Sequence, residues 1–220
     1  MKFIMRVRCI VAGFVFTSNF ISLSGQSSDT IVVLAKEFKI TYAQNLEQPI
    51  RVEYDVRCPK PGVSRSGLGF YTHSSVHTSD GDDYYKNVYD KGHMIPAASF
   101  DCTDILIKKT FSYLNCALQN EDLNRRSWKY LENHERDLAE IYGQTHIIII
   151  IDFNGSKRLG TGAMVPSGFY KEIRTNKIRE CYYFLNKSLV DTDLKKFRCA
   201  CREVEYGHKS YRTLIFEDLL

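Results

Sequence analysis

Asp90, Lys91, Gly92 and His93 stand together in the stretch YDKGHMIPAASF, and Pro96 follows three residues after the histidine. Asp and Gly suit a turn, but a turn has no use for the histidine. An imidazole with an ordinary pKa near 6.5 keeps a free lone pair at neutral pH and can take a proton. A second group of polar residues lies on a stretch of helical pattern beginning at Asp122. There Leu123, Trp128, Leu131, Leu138 and Ile141 fall on one apolar face. Asn124 falls inside that face and Glu132 on its border. A short polar side chain pointing the same way as core residues needs a partner. For Asn124 that partner is either a backbone cap at the helix start or a metal ion.

These residues must be held by a scaffold, and its outline is readable. Phe38, Ile40 and Tyr42 alternate with polar residues, as do Val52, Tyr54 and Val56, so both segments read as half-buried strands joined by Gln44–Gln48. Residues 59–87 are rich in Pro, Gly, Ser and Asp, which predicts a long surface loop. His146–Ile151 (HIIIII) is a continuous β-branched run, expected to be a central strand covered on both faces. Cys181–Leu185 (CYYFL) reads as another strand, expected to pair with it. No internal repeat or composition break divides the chain after residue 26, so the expectation is one α+β domain.

The first 25 residues have a different character. Lys2, Arg6 and Arg8 precede the apolar run Cys9–Phe16, and Ser22, Ser24 and Gly25 follow. That is the layout of a removed secretory signal peptide, with an apolar run too short to span a bilayer. Residues 26–220 are then the folded domain. The 30 basic residues less the three of the leader stand against 26 acidic ones. A near-neutral mature chain binds a polyanion only through a local patch. Cys9 leaves with the leader, and Cys58, Cys102, Cys116, Cys181, Cys199 and Cys201 remain. An even number behind a signal peptide indicates disulfides in an oxidising compartment, with 15 pairings open. Cys199 and Cys201 sit too close for an easy mutual bridge, so each is expected to pair elsewhere. The competing zinc reading lacks a CxxC pair.

The quoted stretch, continued through Met94, Pro96, Ala97, Ala98 and Phe100, resembles the DRGH signature of the DNA/RNA non-specific endonuclease family. Asn115, Gln119, Asp122, Leu123, Asn124, Trp128, Leu131 and Glu132 match the spaced pattern downstream, and Val165–Lys171 resembles its later strand region. The chain departs from the pattern at Lys91, where the family has arginine, and at Leu118, where it has proline. The resemblance implies a ββα-metal (His-Me finger) fold, α+β, with a central and mainly antiparallel sheet flanked by helices. It also implies a secreted, metal-dependent endonuclease that cleaves DNA and RNA with little sequence preference and leaves 5′-phosphate ends. His93 is then the general base, and Asn124 the single protein ligand of Mg2+, with Mn2+ a possible substitute. Glu132 anchors a metal-bound water, and Asn115 holds metal waters or the scissile phosphate. Lys91 and Arg65 contact phosphate. DNA and RNA are engaged through their backbones, no stable membrane association follows removal of the leader, and the oligomeric state stays open. Two rival readings are a binding protein of the same fold with weak or no turnover, supported by Lys91, and a mitochondrial endonuclease.

Overall fold

The computed structural model describes residues 29–202 and 211–219; the leader lies outside them. Nine strands and three α-helices are described. The main sheet contains β1 (Thr30–Leu34), β2 (Phe38–Ala43), β3 (Gln48–Asp55), β6 (His146–Asp152), β7 (Gly168–Arg174), β8 (Arg179–Leu185) and β9 (Arg212–Ile215). Their order is β8-β7-β6-β3-β2-β1-β9. Neighbours run antiparallel except β1 and β9, which are parallel. A separate two-stranded sheet pairs β4 (Tyr89–His93) with β5 (Cys116–Asn120). The helices are α1 (Asp104–Thr110), α2 (Glu121–Leu123) and α3 (Lys129–Tyr142), and a π turn, Asn124–Trp128, joins the last two.

The isoleucine run forms the central strand, as its composition predicts. Ile147 and Ile149 are sealed in the main core, and Ile148 on the opposite face is sealed as well. The expected partner of that strand is corrected. Gly168–Arg174 lies between β6 and β8, so Cys181–Leu185 pairs with β7. The short 175–178 connection makes β7 and β8 an antiparallel neighbour pair, the arrangement that brief links favour. Strands β1 and β9 were not anticipated. TIVVL has a clear β-branched composition, but a run of five residues at the edge of a leader carries little periodicity.

The helical face also differs from expectation at one end. Ile141 is 68% exposed, whereas Trp128, Leu131 and Leu138 are buried. The cause is the π turn, which inserts a residue into the helical register. The face therefore restarts at Trp128 and continues through Leu131, Glu135, Leu138 and Ala139, which leaves Ile141 on the far side. Trp128 anchors this face against Phe169 of β7 and Phe184 of β8, with ring centroids 5.5 and 5.8 Å away.

Two disulfides are present. Cys58–Cys102 closes the long loop over a separation of 44 residues, and Cys181–Cys201 ties the segment after β8 back to that strand. Cys201 is thus the partner of Cys181. Cys116 corrects the fully paired framework: its thiol is buried in β5 and donates to Tyr84 Oη at 3.1 Å. In the chain-entropy account, closing a 44-residue loop stabilises by about 4 kcal/mol. The loop is also clamped locally. Val63 N donates to Asp101 O at 2.6 Å, and a Cβ on Gly62 would overlap that same carbonyl. No helix among the described residues is long and apolar enough to cross a membrane.

The phase shift at the π turn has a measurable outcome. Leu138→Ala should cost about 2–4 kcal/mol in urea denaturation, whereas Ile141→Lys should change stability by no more than about 0.5 kcal/mol. Equal losses at both positions would mean that the uninterrupted helical phase is correct.

Candidate active site

His93 ends β4, Asn124 opens the π turn, and Glu132 lies on the first turn of α3. All three line one cleft of about 590 Å3, together with Arg65, Arg125, Lys129 and Arg136. The surplus of cations suits a phosphodiester. The Cys58-anchored loop supplies the opposite wall through Pro61–Arg65.

The DKGH stretch is a strand rather than a turn. Gly92 is required for space: a Cβ there would meet the Gln119 side chain on the paired strand, at 2.5 Å from Oε1 and 2.6 Å from Cβ. Strand alternation puts Lys91 and His93 on one side, where both meet Phe70. The His93 ring packs against Phe70 and Phe111, with centroids 4.7 and 4.9 Å away. Its Nε2 is buried without a hydrogen-bond partner, so Nδ1 is the ring nitrogen left for the cleft. Burial, and secondarily the Arg65 charge, pull this imidazole down to about 4. The shift leaves His93 a neutral base at pH 7.

Asp90 orients the second residue. Its Oδ2 accepts from Asn124 Nδ2 at 2.8 Å, and its two oxygens accept from Arg125 Nε at 2.8 Å and Nη2 at 2.7 Å. With the amide nitrogen committed to a carboxylate, the Asn124 oxygen is the atom left to face the cleft. The alternative role of Asn124 as the helix cap is excluded, because the side chain of Asn120 accepts from Asp122 N at 3.1 Å and performs it. Among the described residues no cluster of three or more His, Cys, Asp or Glu side chains is placed to hold a metal. An oriented amide oxygen fits a hard cation that retains most of its waters, as Mg2+ does.

Burial raises the Glu132 carboxyl to about 7; Lys171 opposes the rise and Glu135 adds to it. Glu132 is half-buried in the cleft wall. Behind it lies a network that the sequence reading missed. Lys171 Nζ is 2.7 Å from Glu135 Oε2 with both side chains fully buried. Glu135 Oε1 accepts from Tyr54 Oη at 2.9 Å and Ser99 Oγ at 3.0 Å. The Lys171 ammonium also lies 4.6 Å from the Trp128 ring centroid. The available signal was a lysine in phase with Phe169 and Ile173 on a core-facing strand. Arg136, one turn beyond Glu132, was missed as well.

Two expected site residues are not brought to the cleft. Asn115 is sealed, and its amide is spent on backbone: Oδ1 accepts from Ile95 N at 2.7 Å, while Nδ2 donates to Ile95 O at 3.0 Å and Thr110 O at 2.9 Å. It holds the chain just after His93. Lys91 is absent from the cleft lining. Its ammonium lies 5.9, 5.9 and 5.6 Å from the rings of Phe70, Tyr84 and Tyr113, a cation–π site that strand alternation makes available.

Two short strands and a helix, with a histidine on the first strand and an oriented asparagine at the helix start, define the ββα-metal nuclease class. The DNA/RNA non-specific endonuclease family model matches residues 17–215, and the chain belongs to that family. Mitochondrial endonuclease G of Bos taurus is 30% identical over 87 residues, covering 38% of this chain and 29% of its own length. The salivary endonuclease of Lutzomyia longipalpis is 26% identical over 130 residues, covering 54% and 31%. Nuclease C1 of Cunninghamella echinulata var. echinulata is 28% identical over 141 residues, covering 56% of each chain. The chain therefore spans under two thirds of each of these relatives. The crystal structure of the EndoG/EndoGI complex contains a chain that superposes with a TM-score of 0.65 at 23% identity, covering 77% of this chain and 80% of that one. That likeness concerns the fold.

The raised Glu132 carboxyl makes a stability prediction that needs no activity. Its folded form binds a proton more tightly than its unfolded form, so wild type loses stability as pH rises from about 4.5 towards 7. In metal-free thermal melts, Glu132→Gln should be more stable than wild type at pH 8, and the difference should shrink towards pH 4.5. A difference independent of pH would contradict the raised carboxyl.

Proposed function

We propose that this chain is a divalent-metal-dependent endonuclease that hydrolyses phosphodiester bonds in DNA and RNA with little sequence preference. The observation that carries this reading is the meeting, in one cationic cleft, of a neutral His93 and an Asn124 whose amide oxygen is turned outward by Asp90. His93 Nδ1 takes a proton from the attacking water. Asn124 Oδ1 would hold the ion, with Glu132 beside it in the cleft to orient a bound water. When bound, Mg2+ supplies charge stabilisation for the transition state and the leaving oxygen. Arg65 and Arg136 bind the non-reacting phosphate oxygens, with the fork geometry that suits them to it. No residue of the cleft needs to read a base, because phosphates carry no sequence information.

Two disulfides favour an oxidising compartment. Together with a relative named for saliva and the leader, they support secretion over the mitochondrial location of other relatives. Thiol–disulfide state therefore separates the two locations, and N-terminal sequencing of secreted material near Gln26 decides between them.

Supercoiled-plasmid cleavage tests the catalytic assignment. Wild type should nick and linearise plasmid with Mg2+ and stop with EDTA. His93→Ala should lose about 100-fold or more in turnover and keep its affinity for nucleic acid. Asn124→Ala should also be poor and recover in part at high Mg2+, while Asn124→Asp, with a competent carboxylate ligand, should retain more activity. Rescue of His93→Ala by Mg2+, alongside an unaffected Asn124→Ala, would reverse the two roles.

A further inference from the structure

Outside the catalytic cleft, the start of the long helix carries a second groove of about 490 Å3, lined by Asp122, Arg125, Arg126, Lys129, Tyr130 and Asn133. Arg125, Lys129 and Asn133 line both depressions, so the groove is continuous with the catalytic site across one row of side chains. Of the acids near it, two are paired with a cation and one stands in the lining with its charge intact. Asp90 and Glu121 pair with Arg125, and Asp122 accepts from Ser188 Oγ at 2.6 Å. Among the described residues neither Arg126 nor Lys129 enters an ion pair. The lining therefore sets Arg125, Arg126 and Lys129 against the one carboxylate of Asp122, and Arg126 and Lys129 are its cations outside any ion pair. Beside these cations Tyr130 is 49% exposed, an aromatic face left to solvent at the groove's edge.

We propose that this groove is a second nucleic-acid subsite, which takes the single-stranded flank of a substrate whose scissile phosphate lies in the catalytic cleft. Arg126 and Lys129 bind a flanking phosphate, and the exposed ring of Tyr130 stacks under a base. Cations that track the backbone beside an aromatic platform are the means by which single strands are held without sequence preference. The exposed tyrosine favours a base of a single strand, because a base inside a duplex already has both faces stacked on its neighbours. The assignment rests on the endonuclease reading for its substrate, but its own residues touch no reacting atom.

Two substrates and one binding assay test it. An oligonucleotide of about 12 nucleotides, within the range such sites occupy, is compared with bis(p-nitrophenyl) phosphate, a diester without a flank. Tyr130→Ala should raise KM for the oligonucleotide about tenfold with kcat kept. Arg126→Ala should also raise KM and lessen the slope of log kcat/KM against log salt by about 0.7. Both variants should hydrolyse the small diester at the wild-type rate. Unchanged oligonucleotide KM, or an equal loss on both substrates, would overturn the subsite. Fluorescence anisotropy with labelled oligonucleotide in a His93→Ala background separates this proposal from the endonuclease reading. If wild type cleaves neither substrate while Tyr130→Ala still weakens binding about tenfold, the subsite stands and the catalytic reading fails. Unaltered binding removes the subsite whatever the turnover.

Discussion

Four parts of the chain converge on the carboxylate of Glu135. It projects inward from α3, meets Lys171 of β7 at 2.7 Å, and accepts hydroxyl protons from Tyr54 of β3 and Ser99 of the segment after His93. Neither charge of the pair reaches solvent. Removing one partner from such a pair leaves an uncompensated buried charge and costs about 3–5 kcal/mol. The contact therefore does more than add stability. It sets where the helix lies on the sheet and holds the post-His93 segment against both. Glu132, one turn earlier, inherits its position and part of its electrostatic surroundings from the same node.

A second ionic joint acts at shorter range. Asp90 belongs to the strand that carries His93, and it grips Asn124 and Arg125 at the start of the helix. The two residues proposed to act on one phosphate are thus linked through a single intervening carboxylate. Arg125 supplies the opposing charge for Asp90. The disulfide at Cys58–Cys102 and the Gly62–Asp101 contact complete the arrangement from the other wall.

Much of this was legible from residue types. HIIIII and the alternating segments around Phe38 and Val52 are strands where pattern placed them, and His93, Asn124 and Glu132, named through the resemblance, line one cleft. What pattern missed has specific causes. Lys91 has the charge of a phosphate ligand, yet three aromatic rings distant in sequence offer it a nearer site. Asn115 has a ligand's chemistry, but an amide is equally able to satisfy three backbone groups, and spacing cannot tell these uses apart. Gly92 looks like a turn residue because its steric reason, Gln119, sits on another strand. The Glu135–Lys171 pair joins residues whose partnership exists only after the helix has docked.

The π turn between Asn124 and Trp128 bears on how this region tolerates change. It lets the asparagine face the cleft while the tryptophan, a few positions later, enters the core. Arg126 within it is exposed and outside any ion pair among the described residues, so its side chain is open to substitution at little structural cost, whereas Arg125 is tied to Asp90. The number of residues is not open in the same way. Removing one would restore an ordinary helix and rotate everything on one side by about 100° relative to the other, so either the amide leaves the cleft or the indole leaves the core. Between these two anchors a change of side chain at Arg126 is cheap, one at the sealed Ser127 is not, and a single-residue deletion is costlier than either.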